Sequence, residues 1–376
     1  MSRRYFGNVR KRASGRWQVR YRGPDGQLRP APETFVRKSD ADRYLRLIEM
    51  RMSQGEWSDP NRAQVLVSDY ATLWIAQRAG LRPRTVDLYS WLLKRHISPT
   101  LGKVPLGKLD TALIREWRAG LLDVGVTPGM AAKAYRLLRA ILNTAVDEDG
   151  LLNLNPCRIK GAGVEKTEER PVLTIDQVMR LTALVSDRWR AFILLKTFAS
   201  LRWGEITALT RDDVDLVVCE VRVRRQFLER SSGAIEAGPP KSRAGSRTVS
   251  FPQMILPDLQ DHLERFSGTG RGGLVFCGLK GQPLRRSTFN RLVNWHELVA
   301  EVGVPNLHLH DLRHTGNTLA ASSGASLKDL MTRMGHDSPA AALIYQHASR
   351  DADVAIATAM NDRLTAHLKP VRQVLK

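Results

Sequence analysis

Cysteine, acidic side chains and long apolar runs are all scarce in this 376-residue sequence, and each scarcity excludes something. There are three cysteines, Cys157, Cys219 and Cys277, far apart and without any C-x-x-C spacing. An odd, scattered set fits small apolar residues in a reducing compartment, and excludes a disulfide framework or a zinc knuckle. No apolar run approaches the roughly 18 residues that a membrane span needs; the stretch Ala191 to Leu195 is typical of the longer ones. The opening Met-Ser-Arg-Arg-Tyr leads into no apolar segment of the secretory kind, so a soluble cytoplasmic chain is expected. Acids number 38 against 58 lysines and arginines, a net charge of +20. So large an excess asks for a polyanionic partner, nucleic acid before an anionic membrane surface.

The excess is spread along the chain. Residues 1–62 hold 15 basic against 7 acidic side chains, residues 63–160 hold 14 against 8, and residues 161–376 hold 29 against 23. That distribution suits a protein that tracks or encircles DNA better than an enzyme with one basic tail. The front part, 1–62, reads as a small sheet plus a helix. Trp17, Val19 and Tyr21 alternate with Arg16, Gln18, Arg20 and Arg22, the period of a half-buried strand. Pro24-Asp25-Gly26 is turn chemistry and Thr34 to Val36 a returning strand, after which Ser39 is expected to cap a helix. No acid occurs in residues 1–22, so Arg10, Lys11, Arg12 and the polar strand face are candidates for contacting DNA. A solvated polar face is the competing reading.

Residues 63–160 look all-helical, with helices expected over 67–79, 85–96, 111–122 and 128–146. Arg82, Arg84, Lys94, Arg95, Lys133, Arg136 and Arg139 would suit phosphate contacts there. Asn155-Pro156 and the polar run Gly161 to Arg170 read as a linker. The last part, 161–376, is mixed α/β and mainly helical. Thr174-Ile175-Asp176-Gln177 has capping-box form, and strands are expected over 220–227 and 246–251, with helices filling most of the remainder.

Two motifs mislead. Gly268, Gly270 and Gly273 fit G-x-G-x-x-G, but a helix precedes them where a dinucleotide fingerprint needs a strand. His310 and His314 stand four apart, like the ligands of a zinc peptidase helix. Asp311 occupies the place of the required Glu, and Arg313 would repel a dication. No P-loop, internal repeat or low-complexity tract is present. His308, His314 and His347 read as structural.

The positive signal is an ordered set. Ser200-Leu201-Arg202-Trp203-Gly204-Glu205-Ile206 joins two helices, and Lys241 lies on a strand-to-strand turn. His310-Asp311-Leu312-Arg313-His314-Thr315 opens a helix, Gly335-His336 follows another, and Tyr345 comes nine residues later. In this order and spacing the chain resembles the tyrosine recombinases, the phage-integrase family, most of all integrases of actinobacterial phages and mobile elements. The resemblance spans all three parts and implies an arm-binding sheet at 1–62, a helical core-binding domain at 63–160 and a catalytic domain at 161–376. It makes Arg202, Lys241, His310, Arg313, His336 and Tyr345 the catalytic set, with Tyr345 the nucleophile and Glu205 a supporting acid. The sequence departs from the family where Ala199-Ser200 replaces a common Thr-Gly and where Met334 replaces leucine.

The chemistry asks for these residue types on its own account. Displacement at a phosphodiester loads charge on the non-bridging oxygens, which fixed positive donors stabilise. Guanidiniums suit that task, with planar paired donors and a permanent charge. A tyrosine hydroxyl, with pKa about 10, is ionised in roughly one molecule in a thousand at neutral pH. It needs a base or a strong positive field, which His310 and the arginines could supply. Lys241 is the candidate proton donor to the leaving 5′ oxygen. The implied reaction is strand cleavage and rejoining through a 3′-phosphotyrosine, integrating a mobile element and in the reverse sense excising it, with no metal and no nucleotide cofactor. Implied partners are double-stranded DNA at core and arm attachment sites and a homotetramer on two duplexes. The resemblance also admits a directionality factor and a host DNA-bending protein, in a bacterial host's cytoplasm at the nucleoid. Competing readings are a DNA-binding regulator of the same fold without chemistry, and a metal-dependent hydrolase built on His310 and His314. The tail from Ala352 carries Val354, Ile356, Ala357, Met360 and Leu364 near helical spacing, to pack on a neighbour or to finish its own domain.

Overall fold

The computed structural model describes residues 6–54, 62–165, 170–230, 232–345, 354 and 357–365. Asp59-Pro60 near the end of the front part, His347, Ala352, Ile356 and residues 166–169 of the expected linker lie outside the described residues. The chain divides into two compact units, Met1–Thr167 and Glu168–Lys376.

The first unit contains two separate hydrophobic cores. In the smaller, strands β1 (Gly7–Lys11), β2 (Trp17–Arg22) and β3 (Leu28–Phe35) form an antiparallel sheet in the order β1-β2-β3, covered by helix α1 (Lys38–Ser53). The alternation expected of β2 is present: Val19 and Tyr21 are buried against Ala41, Leu45 and Ile48 of α1. The pairing register shifts between Gln18 and Arg20. Helix α1 begins two residues earlier than expected. Arg37 occupies its N-cap with no side-chain bond, and Ser39 lies within the first turn.

The larger core is helical: α2 (Val67–Gln77), α3 (Pro83–Leu92), α4 (Ser98–Leu101), α5 (Thr111–Asp123) and α6 (Pro128–Asp147). The helix expected over 85–96 passes at Leu93–Ile97 into a π-turn rather than running on. Helix α6 has Pro128 in its first turn and Thr127 as its cap, the residue types that a helix start favours. Its buried stripe of Ala131, Ala134, Tyr135, Leu138, Ile141, Leu142 and Ala145 organises this core. Buried indoles are satisfied locally, Trp74 Nε1 donating to Thr144 Oγ1 at 2.9 Å and Trp117 Nε1 to the His96 carbonyl at 2.7 Å.

The second unit is built around α8 (Asp187–Phe198), which follows α7 (Ile175–Leu184). The expected capping box of α7 is made: Gln177 N donates to Thr174 Oγ1 at 3.2 Å, and Thr174 N donates back to Gln177 Oε1 at 3.0 Å. Helix α8 is buried on all sides from Ala191 to Thr197, so it shows no polar face. After it come α9 (Trp203–Thr207), strands β4 (Val214–Asp215), β5 (Glu220–Val223), β6 (Gln226–Glu229), β7 (Ile235–Gly238) and β8 (Arg247–Ser250), and α10 (Leu256–Arg265). The remaining helices are α11 (Arg286–Leu292), α12 (Trp295–Glu301), α13 (Asp311–Ser322), α14 (Leu327–Met334) and α15 (Pro339–Leu343). Strands β4-β5-β8 make one antiparallel sheet and β6-β7 a separate hairpin.

Two expectations change here. The strand expected over 220–227 is two strands in different sheets, because Arg224 and Arg225 turn to the buried carboxylate of Asp213 at 2.9 and 3.2 Å. In the remainder expected to be helical, residues 286–301 are two helices, α11 and α12, divided at Asn294, whose φ of 49° is left-handed. Residues 357–365 of the tail are helical and exposed. Among the described residues no helix is long and apolar enough to cross a membrane.

Candidate active site

Backbone geometry sets the first arginine. Helix α8 ends at Phe198; Ser200, just beyond it, is a non-glycine residue at φ 52°, and the chain turns so that Arg202 becomes the N-cap of α9. The Arg202 backbone N–H donates to Glu205 Oε2 at 2.9 Å, and its guanidinium donates to Glu205 Oε1 at 2.7 Å. A second branch donates to the Gly335 carbonyl at 3.0 Å. Gly335 closes α14 at φ 62°, and a Cβ there would lie 2.9 Å from the Ala244 carbonyl. The glycine therefore allows the loop between β7 and β8 to approach.

Glu205 is the hub. It is buried, and three guanidiniums address it: Arg202 at 2.7 Å, Arg247 at 3.0 Å and Arg313 at 3.9 Å. Burial alone would raise its pKa, but Arg247, then Arg313 and Arg202, outweigh that and hold it at about 2. One carboxylate among three guanidiniums leaves the cluster cationic, a field suited to a phosphate. Arg313 also donates to the backbone carbonyls of Ser200 and, at 2.5 Å, Met334. Burial first, and Arg202 next, disfavour its charge, although a guanidinium keeps its proton in proteins.

Two histidines, His310 and His336, are held toward their neutral form. Burial, with Lys196 and His314 next, brings His310 down to about 3, and burial with Arg313 and Arg202 brings His336 down to about 4. Arg313 Nη2 lies 3.3 Å from His336 Nε2, so that nitrogen accepts and Nδ1 carries the proton. Nδ1 is buried without a partner among the described residues, an unsatisfied donor. His310 sits at the N-cap of α13 and meets the His314 ring edge-on, 5.0 Å between centroids.

Tyr345 is buried at 8% exposure beside Leu330, Met334 and Ala342. Its hydroxyl lies 2.5 Å from His314 Nδ1. Burial raises its pKa, while Asn317, Arg313 and Arg202 pull the other way.

Of the residues singled out in the sequence, Arg202, Glu205, Arg313 and His336 are in mutual contact, and His310 and Tyr345 join through His314. Lys241 is exposed, but its neighbour Ser242 donates at 3.2 Å to the same Gly335 carbonyl that Arg202 uses. Sequence reasoning missed Arg247, which shares the inward face of β8 with Val249. It also missed Lys196, fully buried on α8, whose Nζ donates to the Leu201 carbonyl at 3.0 Å and which burial brings down to about 7. The four-residue spacing of His310 and His314 was visible in the sequence, where His314 was read as structural. Among the described residues no cluster of three His, Cys, Asp or Glu side chains is placed to hold a metal. A groove of about 1010 Å³ in this unit, beside Ile175, Leu319 and Lys328, contains none of these side chains.

The front sheet gathers Arg10, Gln18, Arg20 and Arg22 on the face away from α1, Arg10 Nε donating to Gln18 Oε1 at 3.2 Å and Arg22 to the Gly26 carbonyl at 3.0 Å. Arg16 is tied to Thr34, Nε to Oγ1 at 2.7 Å, and Lys11 and Arg12 are exposed at the hairpin. In the helical part Lys94 and Arg95 are exposed on the π-turn. Arg82 is the N-cap of α3 and Arg84 lies in its first turn. Lys133 and Arg136 both pair with Glu165, the former at 3.6 Å, and Arg139 is exposed on α6.

Comparison with known proteins decides the assignment. Residues 171–351 match the phage integrase family, residues 5–54 a phage integrase N-terminal domain and residues 66–122 the phage integrase N-terminal SAM-like domain. The putative prophage phiRv2 integrase of Mycobacterium tuberculosis is 38% identical over 367 residues, covering 96% of each chain. The chain belongs to the phage integrase family. This integrase is thus a site-specific tyrosine recombinase, the enzyme class that the motif order implied. The integrase of Mycobacterium phage D29 is 34% identical over 373 residues, covering 96% of this chain and 97% of that one. In fold it is similar to the Tn1549 transposon integrase in complex with a circular intermediate DNA, with TM-score 0.69 and 21% identity over 80% of this chain and 99% of that one. It is also similar to a lambda integrase tetramer bound to a Holliday junction, with TM-score 0.54 and 18% identity over 92% of this chain and 97% of that one.

Proposed function

We propose that this integrase cleaves one strand of its attachment-site DNA by attack of Tyr345 on the scissile phosphate, and rejoins it through a 3′-phosphotyrosine. Arg202 and Arg313 hold the non-bridging oxygens, with His336 Nδ1 donating a further hydrogen bond. Lys241 protonates the departing 5′ oxygen, and His310 lines the site. The phosphotyrosine keeps the energy of the broken bond, so resealing to a new 5′-hydroxyl needs neither nucleotide nor metal. The observation that carries this reading is the Glu205 hub, which fixes two of the motif arginines at 2.7 and 3.9 Å in the unit that also bears Tyr345.

In this proposal residues 1–62 bind arm sites, residues 63–160 bind the core site and residues 161–376 perform the chemistry. The face that carries exposed Arg10 and Arg22 and half-buried Arg20, poor in acids, supports the first assignment. Strand exchange by four protomers on two duplexes accords with the tetrameric lambda integrase named above. A directionality factor and a host DNA-bending protein would act on this assembly in the bacterial cytoplasm.

The test is Tyr345→Phe. It should bind core DNA nearly as the natural chain does and form no covalent adduct on a denaturing gel. A persistent adduct would remove Tyr345 as the nucleophile.

A further inference from the structure

Lys196 is a buried amine with no role in the proposed chemistry. It lies on α8 between Leu195 and Thr197, in the stretch that shows no polar face. Among the described residues its one hydrogen-bond partner is the Leu201 carbonyl, to which Nζ donates at 3.0 Å. That carbonyl belongs to the same planar peptide unit as the Arg202 N–H, and the N–H donates to Glu205 Oε2 at 2.9 Å. The peptide that leads into Arg202 is therefore gripped at both ends, by a buried amine and by a buried carboxylate. The preceding carbonyl, of Ser200, receives Arg313.

We propose that Lys196 is a positioning residue for the phosphate clamp: it fixes the peptide that aims Arg202, and it takes up a proton when the scissile phosphate enters the site. The inference rests on Arg202 and Arg313 being the groups that hold that phosphate. The proton comes from bulk water and returns there when the DNA leaves. Lys196 acts through Arg202 rather than on the reacting atoms.

The charges around the amine leave its proton finely balanced. Burial first, then Arg313 and Arg286, bring Lys196 down to about 7, with Glu205 and Asp311 acting the other way. His310 and His314 also face it from α13. Helices α7 and α10 pack on α8 as well, but their ionisable groups are engaged elsewhere. Arg180 donates to the Glu301 carbonyl at 3.4 Å, Asp258 pairs with Arg190 at 2.9 Å, and His262 Nε2 lies 2.8 Å from the Val275 carbonyl. Asp261 pairs with Arg265 at 2.9 Å, and Asp176 and Glu264 are exposed. An ammonium has three N–H donors and finds one acceptor here, so the neutral amine leaves less unsatisfied. A phosphodiester brings negative charge beside Arg313, the first of the cations that disfavour the ammonium, and so restores the proton.

The experiment uses the full chain, with carbon-13 at lysine Cε, and a duplex carrying the attachment core taken from the DNA flanking the gene. Tyr345→Phe keeps that duplex uncut while the lysine NMR signals are followed against pH. One signal should have its midpoint at about 7, and the core duplex should move it up by about 1 pH unit or more. The signal should be missing from Lys196→Met. Lysine signals that all titrate near the ordinary value of about 10.4, or a midpoint that the duplex does not move, overturn the proposal. In single-turnover cleavage at saturating duplex, Lys196→Met should form the adduct about 10²-fold more slowly, as a misplacement of about 1 Å can cost. Its affinity for the duplex should stay within a few-fold of the natural chain's. A natural rate, or slowness wholly explained by weaker binding, overturns the proposal. If Lys196→Met does not fold, the titration of the chain that keeps Lys196 decides alone. Arg202→Ala separates the two readings. A natural rate in that variant defeats the clamp, whereas a slow Arg202→Ala beside an unimpaired Lys196→Met defeats this inference alone.

Discussion

Arginine is set in opposite ways in the front sheet and in the cluster around Glu205. On the sheet, Arg10 and Arg22 are exposed and held by a glutamine and a backbone carbonyl. In the cluster, the Arg247 and Arg313 side chains are each 3% exposed and share one buried carboxylate. Exposed cations bind through a field that salt screens, and none of them is fixed tightly. Buried ones are held to a geometry, at a desolvation cost that only a well-placed counter-charge makes tolerable. The first arrangement suits tracking a backbone, the second stabilising one transition state.

The comparison breaks first at Glu205. Glu205→Gln leaves Arg202, Arg247 and Arg313 facing one another with no carboxylate, so adduct formation should fall below detection. Removing one partner of a buried ionic network costs about 3–5 kcal/mol, which thermal or urea unfolding would read. The pH dependence carries the same signature. The folded-state pKa of Glu205 is depressed to about 2, so its contribution is full above the ordinary carboxylate range and is lost as pH falls toward about 2. The natural chain should lose stability through that window, and Glu205→Gln should lose less of it. An unchanged acid limb would mean that the three guanidiniums do not depend on this carboxylate.

What could be read from the sequence follows the same division. Helices with one apolar stripe, such as α6, were legible because burial imposes their period. The motif residues were legible because chemistry fixes their types and order. Arg247 was not, because an arginine on an inward strand position looks like a surface residue until Glu205 is beside it. The break between β5 and β6 was hidden likewise, since the alternation of 220–227 says nothing of Asp213 drawing Arg224 and Arg225 aside. Arg16, Lys133 and Arg136 were legible as basic, but not as already engaged by Thr34 and Glu165.

Lys241 sharpens the comparison, being exposed yet assigned to chemistry. If it protonates the leaving oxygen, Lys241→Ala should slow cleavage of ordinary DNA by about 10²–10⁴. A 5′-bridging phosphorothiolate releases a thiolate, which leaves without a proton because thiols have pKa about 8.5. The variant should recover most of its loss on that substrate, and Arg202→Ala should not. Equal slowness on both substrates would give Lys241 a DNA-positioning role, with His336 the next donor to test.

On the sheet the expected effects are smaller and depend on salt. Arg20→Ala or Arg22→Ala should weaken arm-DNA binding without touching core cleavage. Each should reduce the slope of log affinity against log salt by about 1 if it removes one phosphate contact. A slope identical to that of the natural chain would make the strand face merely solvated.

The smallest effect tests how the cluster is held from beneath. Ser200 adopts φ 52°, a conformation in which a side chain costs roughly 1–2 kcal/mol, at the position where the family commonly carries glycine. Its carbonyl receives Arg313, and its Oγ lies where a Cβ on Gly316 would approach within 2.8 Å, so α8 and α13 are in close contact here. The strain is thus retained by a turn that presents one arginine and orients the carbonyl that holds another. Ser200→Gly removes the strain but loosens the unfolded chain, and these oppose each other. The expected net is a stabilisation of at most about 1 kcal/mol, with adduct formation unchanged within a few-fold. A loss of activity at preserved stability would show instead that the Ser200 hydroxyl, donating at 3.5 Å to the Thr197 carbonyl, helps fix the turn on which both arginines depend.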